Sequence, residues 1–357
     1  MSVLALMVAL AAAPDPSIRE LSKEVSQIAR GFSGEFGLYV EDVDSGATLS
    51  HHADAPMYLA SGIKIVVMIA LYQAMAAGEL SLEETIDYRA VDLRDGTPIL
   101  GFARPGTPIT LGALLEVMIQ SSDNTATDLL IRRVGLEAVN TALAKEGIEG
   151  FGPITTLIEV RRLVYEKLDP RGRELEPKDI FRLAMARPAN ARMSALASML
   201  GQPEGRWSVD DYSSAYDSYY SEGWNSASMS KMGELLRKLV RQEVVSPEAS
   251  IRMIQIMSGT RTGTHRFKAG LPDDVVLAHK TGTQQRRTCD FGVMFLPPNN
   301  RPVIVAASVS GGSRREAERV LARVARATYR AMTAKGDGPR AEAAVHRRRG
   351  GRGRGRR

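Results

Sequence analysis

Ser61-Gly62-Ile63-Lys64 places a hydroxyl three residues before an amine, at the head of the apolar run Ile65-Val66-Val67-Met68-Ile69-Ala70-Leu71. On a helix, residues i and i+3 share a face, with Cβ atoms about 5–6 Å apart. Burial disfavours the charged form of an amine. A neutral amine beside a serine can take the hydroxyl proton and turn a weak nucleophile into a strong one. The spacing alone is not distinctive, because Ser228-Met229-Ser230-Lys231 repeats it. The first copy differs in having two partner motifs further along the chain. Ser122-Asp123-Asn124 lies between two helix-like stretches, and Lys280-Thr281-Gly282-Thr283 ends a strand-like segment that begins at Val275.

The elements that must position these residues can be read from periodicity and turn chemistry. Ser17 to Phe32 reads as an amphipathic helix behind a capping serine. Phe36 to Val43 and Ala47 to Ser50 alternate around Asp44-Ser45-Gly46, a hairpin pattern. Thr110 caps a helix over Leu111 to Ile119, and a loop at Ser121 to Asn124 leads into helices over Thr125 to Arg133 and Leu136 to Lys145. Val160 to Leu168 and Pro177 to Met185 look helical, whereas Trp207 to Trp224, rich in Ser, Asp and Tyr, shows no clear period and reads as loop-rich. Its aromatic residues either pack that segment down or line a cleft. Helical patterns resume over Ser228 to Arg241 and Ser246 to Met257. Strands come next, over Val275 to Thr281, Cys289 to Leu296 and Val303 to Ser310, and a helix over Arg314 to Met332 closes the pattern. Two strands near the start and three near the end predict an α+β fold. One antiparallel sheet of about five strands, formed by both ends of the domain, is flanked by helices, and the helical middle makes a second lobe.

A chain of 357 residues can bury a large core. The formal net charge is +6, but seven arginines crowd Arg347 to Arg357, and without them the balance falls to −1. The basic surplus belongs to a tail, so no dedicated nucleic-acid partner is expected of the body. Residues 336–357, dominated by Gly, Pro, Ala and Arg, cannot bury a core and read as a disordered tail able to contact anionic polymers. Residues 1–13, small and apolar, read as a signal segment although they lack a basic start, which predicts a periplasmic or secreted protein. Residues 14–335 are expected to form one catalytic domain. A lone cysteine, Cys289, excludes an intramolecular disulfide. The five histidines show no metal-ligand spacing, and no G-x-S-x-G elbow, P-loop or dinucleotide fingerprint is present. No metal or cofactor is called for.

S-x-x-K, then S-D-N, then K-T-G, in that order, resembles the class A β-lactamases and penicillin-binding proteins. The likeness extends to Ala60 before the nucleophile motif, to Gly106-Thr107-Pro108-Ile109-Thr110-Leu111 and to His279 before Lys280, and covers roughly residues 17–158 and 228–333. It implies a serine hydrolase that forms an acyl-enzyme at Ser61, with β-lactam ring hydrolysis as the leading activity. Lys64 is then the base or part of the relay, and Ser122 returns a proton to the departing nitrogen. Asn124 holds a substrate amide and the Lys64 amine, while Lys280 meets a substrate carboxylate. Backbone N–H groups of Ser61 and Thr283 form the oxyanion hole, and Thr281 and Gly282 complete the substrate-binding strand. A small-molecule β-lactam or a peptidoglycan-like substrate is implied, acting on a monomer. Two alternatives stay open: a peptidoglycan D,D-peptidase or other amide or ester hydrolase, and a non-turnover penicillin-binding sensor or trap.

The sequence departs from the family where acyl-enzyme hydrolysis is decided. Class A enzymes use a glutamate to activate water for that step. In the matching stretch, Thr155-Thr156-Leu157-Ile158-Glu159-Val160-Arg161-Arg162, Arg161 takes the glutamate's place. Glu159 stands two residues early and Glu166 five late; Glu174 and Glu176 are further acids of the region. Glu159 is the acid carried forward as candidate base. The separation from Ser122 to Lys280 is also longer than the family's pattern, and the excess is expected as an insertion over about residues 165–224.

Overall fold

The structure is a computed structural model that describes residues 15–96 and 99–334. The expected signal segment, residues 1–13, and the basic tail, residues 336–357, lie outside the described residues. Near the start, β1 (Glu35–Asp42) and β2 (Thr48–His51) form the expected hairpin, with Leu38 opposite His51 and Glu41 opposite Thr48. Near the end, β3 (Val276–Gln284), β4 (Arg287–Leu296) and β5 (Arg301–Ser310) form a meander. The first strand pairs with the last, Glu35 opposite Ser310, so the sheet order is β2-β1-β5-β4-β3 and every pairing is antiparallel.

Helices surround this sheet in chain order. They are α1 (Pro16–Arg30), α2 (Lys64–Ala76), α3 (Leu111–Gln120), α4 (Asn124–Val134), α5 (Leu136–Lys145) and α6 (Leu157–Glu166). Then come α7 (Pro177–Met185), α8 (Ala189–Met199), α9 (Val209–Ser221), α10 (Met229–Val240), α11 (Pro247–Ser258) and α12 (Arg314–Thr333). Alternation along the strands sends their side chains to two cores. Phe36, Leu38 and Val40 of β1 and Val303, Val305 and Val309 of β5 pack with α1 and α12 on one face. Tyr39, Phe291, Val293 and Ile304 point the other way, into the large core around α2.

That second core makes the site possible. Every residue from Lys64 to Tyr72 is buried, so α2 is enclosed on all sides. Each of its fully buried Ile, Val, Met and Leu side chains contributes on the order of 1.5–3 kcal/mol. The lysine at the first position of this helix is itself fully buried.

Three expectations need correction. Asp15 caps α1, not Ser17: its carboxylate accepts from the Ser17 amide at 2.8 Å, and Pro16 starts the helix. Residues 189–199 and 209–221 are helices, where the sequence pattern gave no element to the first and a loop to the second. In α9 the start signal is a reciprocal cap. Ser208 Oγ accepts from the Asp211 amide at 3.0 Å, and Asp211 Oδ2 accepts from the Ser208 amide at 2.8 Å. Its buried stripe is Tyr212, Ala215, Tyr216 and Tyr219, at helical spacing but built largely from tyrosines, which carry hydroxyls. Ser208→Ala should lower stability by about 1 kcal/mol, read as a fall in the urea midpoint with an unchanged slope.

Candidate active site

Ser61 lies on a single 3₁₀ turn, Ala60–Ile63, that feeds into α2. The turn is packed against the end of the sheet. Gly62 faces the Phe291 ring so closely that a Cβ there would overlap it. Gly282 is tight for a related reason: a Cβ would sit 2.6 Å from the Leu59 carbonyl oxygen and against the Cys289 sulfur. The glycine of the Lys280 triplet therefore lets β3 approach the Ser61 turn, rather than only leaving room for a ligand. Cys289 completes the seam, its thiol donating to Leu59 O at 3.1 Å, and burial pushes that thiol up to about 12.

Lys64 begins α2 and is fully buried. Its Nζ lies 2.6 Å from Ser122 O, 2.8 Å from Asn124 Oδ1, 3.2 Å from Ser122 Oγ and 3.4 Å from Asp123 O. Ser122 offers both its carbonyl and its hydroxyl from a left-handed backbone, φ +60°, a conformation that costs a non-glycine residue on the order of 1–3 kcal/mol. Asp123 fixes the turn by capping α4 through the Ala126 amide at 2.8 Å and by accepting from the Leu100 amide at 3.0 Å. Asn124 is held from its other end, donating from Nδ2 to Asp95 O at 2.7 Å.

Lys280, on β3, is also fully buried and donates to the same Ser122 Oγ at 2.9 Å and to Thr281 O at 2.9 Å. Two amines thus converge on one hydroxyl. Desolvation, followed by the positive charge of Lys280, drives Lys64 well below the usual lysine range. Desolvation also pushes Lys280 down to about 7. A neutral Lys64 can give its two N–H groups to Ser122 O and Asn124 Oδ1, which leaves its lone pair free to receive a proton. When Lys280 donates to Ser122 Oγ, the Ser122 hydroxyl is free to donate elsewhere. The arrangement supports a proton path from the Lys64 amine through Ser122.

The strand that carries Lys280 is braced by residues that no sequence motif singles out. The buried Arg266 donates to Gly282 O and Cys289 O, both at 2.8 Å, and to Thr283 Oγ1 at 2.6 Å. It also pairs with Glu318 of α12 at 3.4 Å. Thr281 Oγ1 shares a hydrogen bond with Thr262 Oγ1 at 2.6 Å, and His279 Nδ1 bonds the buried Asp290 at 2.8 Å. A buried guanidinium has no sequence spacing to announce it, since its partners lie 16 to 52 residues away.

The acids expected to activate water sit elsewhere. Asp128 of α4 accepts from the Leu157 and Ile158 amides at 2.7 and 3.2 Å and so anchors the start of α6. From that helix the Glu159 carboxylate pairs with Arg173 of the following 3₁₀ segment, Pro170–Glu174, and Glu166 reaches the same arginine at 3.6 Å. Ser122, Asn124, Lys64 and Lys280 are brought together; Glu159 is outside their hydrogen-bond network. Arg161 does face toward it, donating to Asp95 Oδ2 from Nε at 2.9 Å and from Nη2 at 2.7 Å, with Nη1 on the Tyr216 hydroxyl at 2.7 Å. The second S-x-x-K copy has an ordinary role: Ser228 caps α10 through the Lys231 amide at 3.2 Å, and Lys231 pairs with Glu234 at 2.9 Å.

Comparison with known proteins matches the chain to a family. The model of the beta-lactamase enzyme family covers residues 20–332. The chain belongs to that family. "Beta-lactamase 1" of Bacillus cereus is 24% identical over 293 residues, covering 80% of this chain and 75% of the relative. The "Beta-lactamase" of Amycolatopsis lactamdurans is 23% identical over 323 residues, covering 90% and 87%. Among solved structures, a beta lactamase from Xanthomonas campestris superposes with a TM-score of 0.67 at 20% identity, over 88% of this chain and 98% of that one. A beta-lactamase from Sphaerobacter thermophilus gives 0.64 at 24% identity, over 88% and 97%. These likenesses show the class A β-lactamase fold.

Removing the Arg266 guanidinium would take a donor from the Gly282 and Cys289 carbonyls, while the half-buried Glu318 would keep Arg314 at 3.1 Å. Arg266→Ala should cost about 1–3 kcal/mol for each carbonyl left unpaired, measured by urea unfolding.

Proposed function

We propose that this member of the family hydrolyses β-lactams through an acyl-enzyme at Ser61. The observation that carries the reading is the convergence of the Lys64 and Lys280 amines on Ser122 Oγ, at 3.2 and 2.9 Å. Ser61 Oγ attacks the ring carbonyl and gives its proton to the neutral Lys64 amine. The tetrahedral intermediate's oxyanion accepts from the Ser61 and Thr283 amides, where each donor is worth about 10²–10³ in turnover. The ring C–N bond breaks, and the nitrogen takes a proton from Ser122, which regains one from Lys64. Lys280, in its protonated form, receives the substrate carboxylate. Water then adds to the ester carbonyl and Ser61 leaves with its proton restored.

A second reading concerns that last step. Glu159 is engaged by Arg173, and the family's glutamate place holds Arg161, itself engaged by Asp95. Both observations favour slow release of the acyl group, the behaviour of a penicillin-binding peptidase or trap. Glu159 serves as the water-activating base only if substrate entry breaks its pair with Arg173.

Mixing the protein with a chromogenic cephalosporin, and following colour and intact mass together, separates these readings. Sustained colour release supports hydrolysis, and one stoichiometric burst with a stable adduct supports the trap. Ser61→Ala should abolish both signals; full activity in that variant would remove Ser61 from the mechanism.

The pH dependence comes from the two amines. Acylation needs Lys64 neutral, so its rate falls as acid protonates that amine. Binding a carboxylate needs Lys280 charged, so kcat/KM falls as pH rises through about 7, the free-protein value for Lys280. A bell-shaped profile of kcat/KM is expected, and a substrate ester lacking the carboxylate should lose the alkaline limb.

A further inference from the structure

Helices α7 to α9 enclose a cavity of about 340 Å³ that abuts the active site on two sides. One wall is Asp95 and Gly96, and a Cβ on Gly96 would lie 2.5 Å from Asn124 Nδ2. Gln284 and Gln285, which directly follow Thr283 at the end of β3, line it as well. A substrate held between Asn124 and the Lys280 strand therefore has this cavity next to it. Its volume falls in the range of small-molecule pockets.

The charge of the lining is unusual. Arg161, Arg187 and Arg192 face the cavity, against one carboxylate, Asp95. Asp95 is committed to Arg161. Arg192 is bound only by neutral acceptors, the Leu183 and Ala184 carbonyls at 2.8 and 3.2 Å and the Tyr212 hydroxyl at 3.1 Å. Arg187 is exposed at the rim. Among the described residues, no carboxylate lies within 4.0 Å of the Arg187 or Arg192 guanidinium. Two cations without counter-charge thus line one recess. Phe181, Met185 and the Tyr165 ring supply apolar surface between them.

This floor is also ordered rather than a loose surface cluster. A continuous hydrogen-bonded chain runs from Asp95 to Arg161, to Tyr216, to Tyr212 and to Arg192. Tyr212 and Tyr216 are buried, and their rings meet edge to face at 5.1 Å. Side chains locked by packing lose little freedom when a ligand arrives.

We infer that this cavity is a subsite for an anionic acyl side chain, so that the preferred substrates carry a second carboxylate beside the one that Lys280 receives. The inference rests on the acyl-enzyme reading of the site. The aryl or alkyl stem lies on Phe181 and Met185, and the distal carboxylate pairs with Arg187 and Arg192. A guanidinium is suited to this because its N–H fork matches a carboxylate. The covalent step is unchanged, and the subsite acts by orienting the amide before Ser61 attacks.

The test compares benzylpenicillin with its α-carboxy derivative, which differ by one carboxylate on the acyl side chain. At low ionic strength the acylation rate constant kcat/KM of the full chain should favour the dicarboxylate at least tenfold. The preference should shrink as salt is raised. Arg187→Glu should bring the ratio to one or below, read as a ratio so that any loss common to both substrates cancels. A ratio of one or less in the unmodified protein, or a preference untouched by Arg187→Glu, overturns the subsite. A second measurement reads the cavity without chemistry: binding of phenylmalonic acid monoamide against phenylacetamide, followed by NMR shifts of the cavity residues. Tighter binding of the acid supports the subsite, and equal binding rejects it. If neither penicillin modifies Ser61, the acyl-enzyme reading fails on its own, and the fragment result still decides the subsite.

Discussion

The structure depends on keeping an amine at the first position of a helix that has no exposed face. Burying an ammonium without compensation costs several kcal/mol even after relaxation. The protein meets that constraint in two ways. It surrounds Lys64 Nζ with the carbonyl and amide oxygens of Ser122 and Asn124, and it shifts the amine toward its neutral form. The first device requires the left-handed Ser122 and the capping Asp123. The second leaves the amine a lone pair, which the proposed acylation requires. Stability and reactivity are thus set by the same placement.

The rest of the fold can be understood as support for that placement. The meander β3–β4–β5 carries Lys280 to the same hydroxyl and is joined to β1, so the two ends of the chain are locked into one sheet. Close approach of Gly62 to Phe291 on β4, and of Gly282 on β3 to the Leu59 carbonyl, leaves no slack between the Ser61 turn and these two strands. Arg266 ties β3 and β4 to α12 from behind. On the other side, Asn124 passes the constraint to Asp95, and Asp95 passes it through Arg161 to the tyrosines of α9. The helices α7 to α9 are therefore mechanically continuous with the amine, although none of them supplies a residue to the proton path.

Much of this was legible in the sequence. Ser61, Lys64, Ser122, Asn124 and Lys280 are polar residues at fixed offsets inside apolar or capped elements, a pattern that survives without coordinates. The sheet was legible because its strands alternate and are bounded by turn residues. Helix α9 was missed because its buried stripe, Tyr212, Tyr216 and Tyr219, carries hydroxyls and contrasts little with the polar face around it. Its reciprocal Ser208–Asp211 cap was the available signal. The Arg161–Asp95 pair could not be read at all, since it joins residues 66 apart and depends on how α6 is anchored by Asp128. For the same reason, the sequence identifies Glu159 as an acid near the right place but not that its carboxylate turns to Arg173.

The most direct measurement of the central claim is an NMR titration of the lysine side chains in the protein labelled at lysine Nζ and Cε. The account predicts two amines apart from the rest, Lys64 titrating well below the ordinary lysine range and Lys280 near 7, with Lys64→Ala and Lys280→Ala each removing one of the two. If both signals titrate with the exposed lysines, near their ordinary value of about 10.4, the neutral buried amine does not exist and the account of the site is wrong.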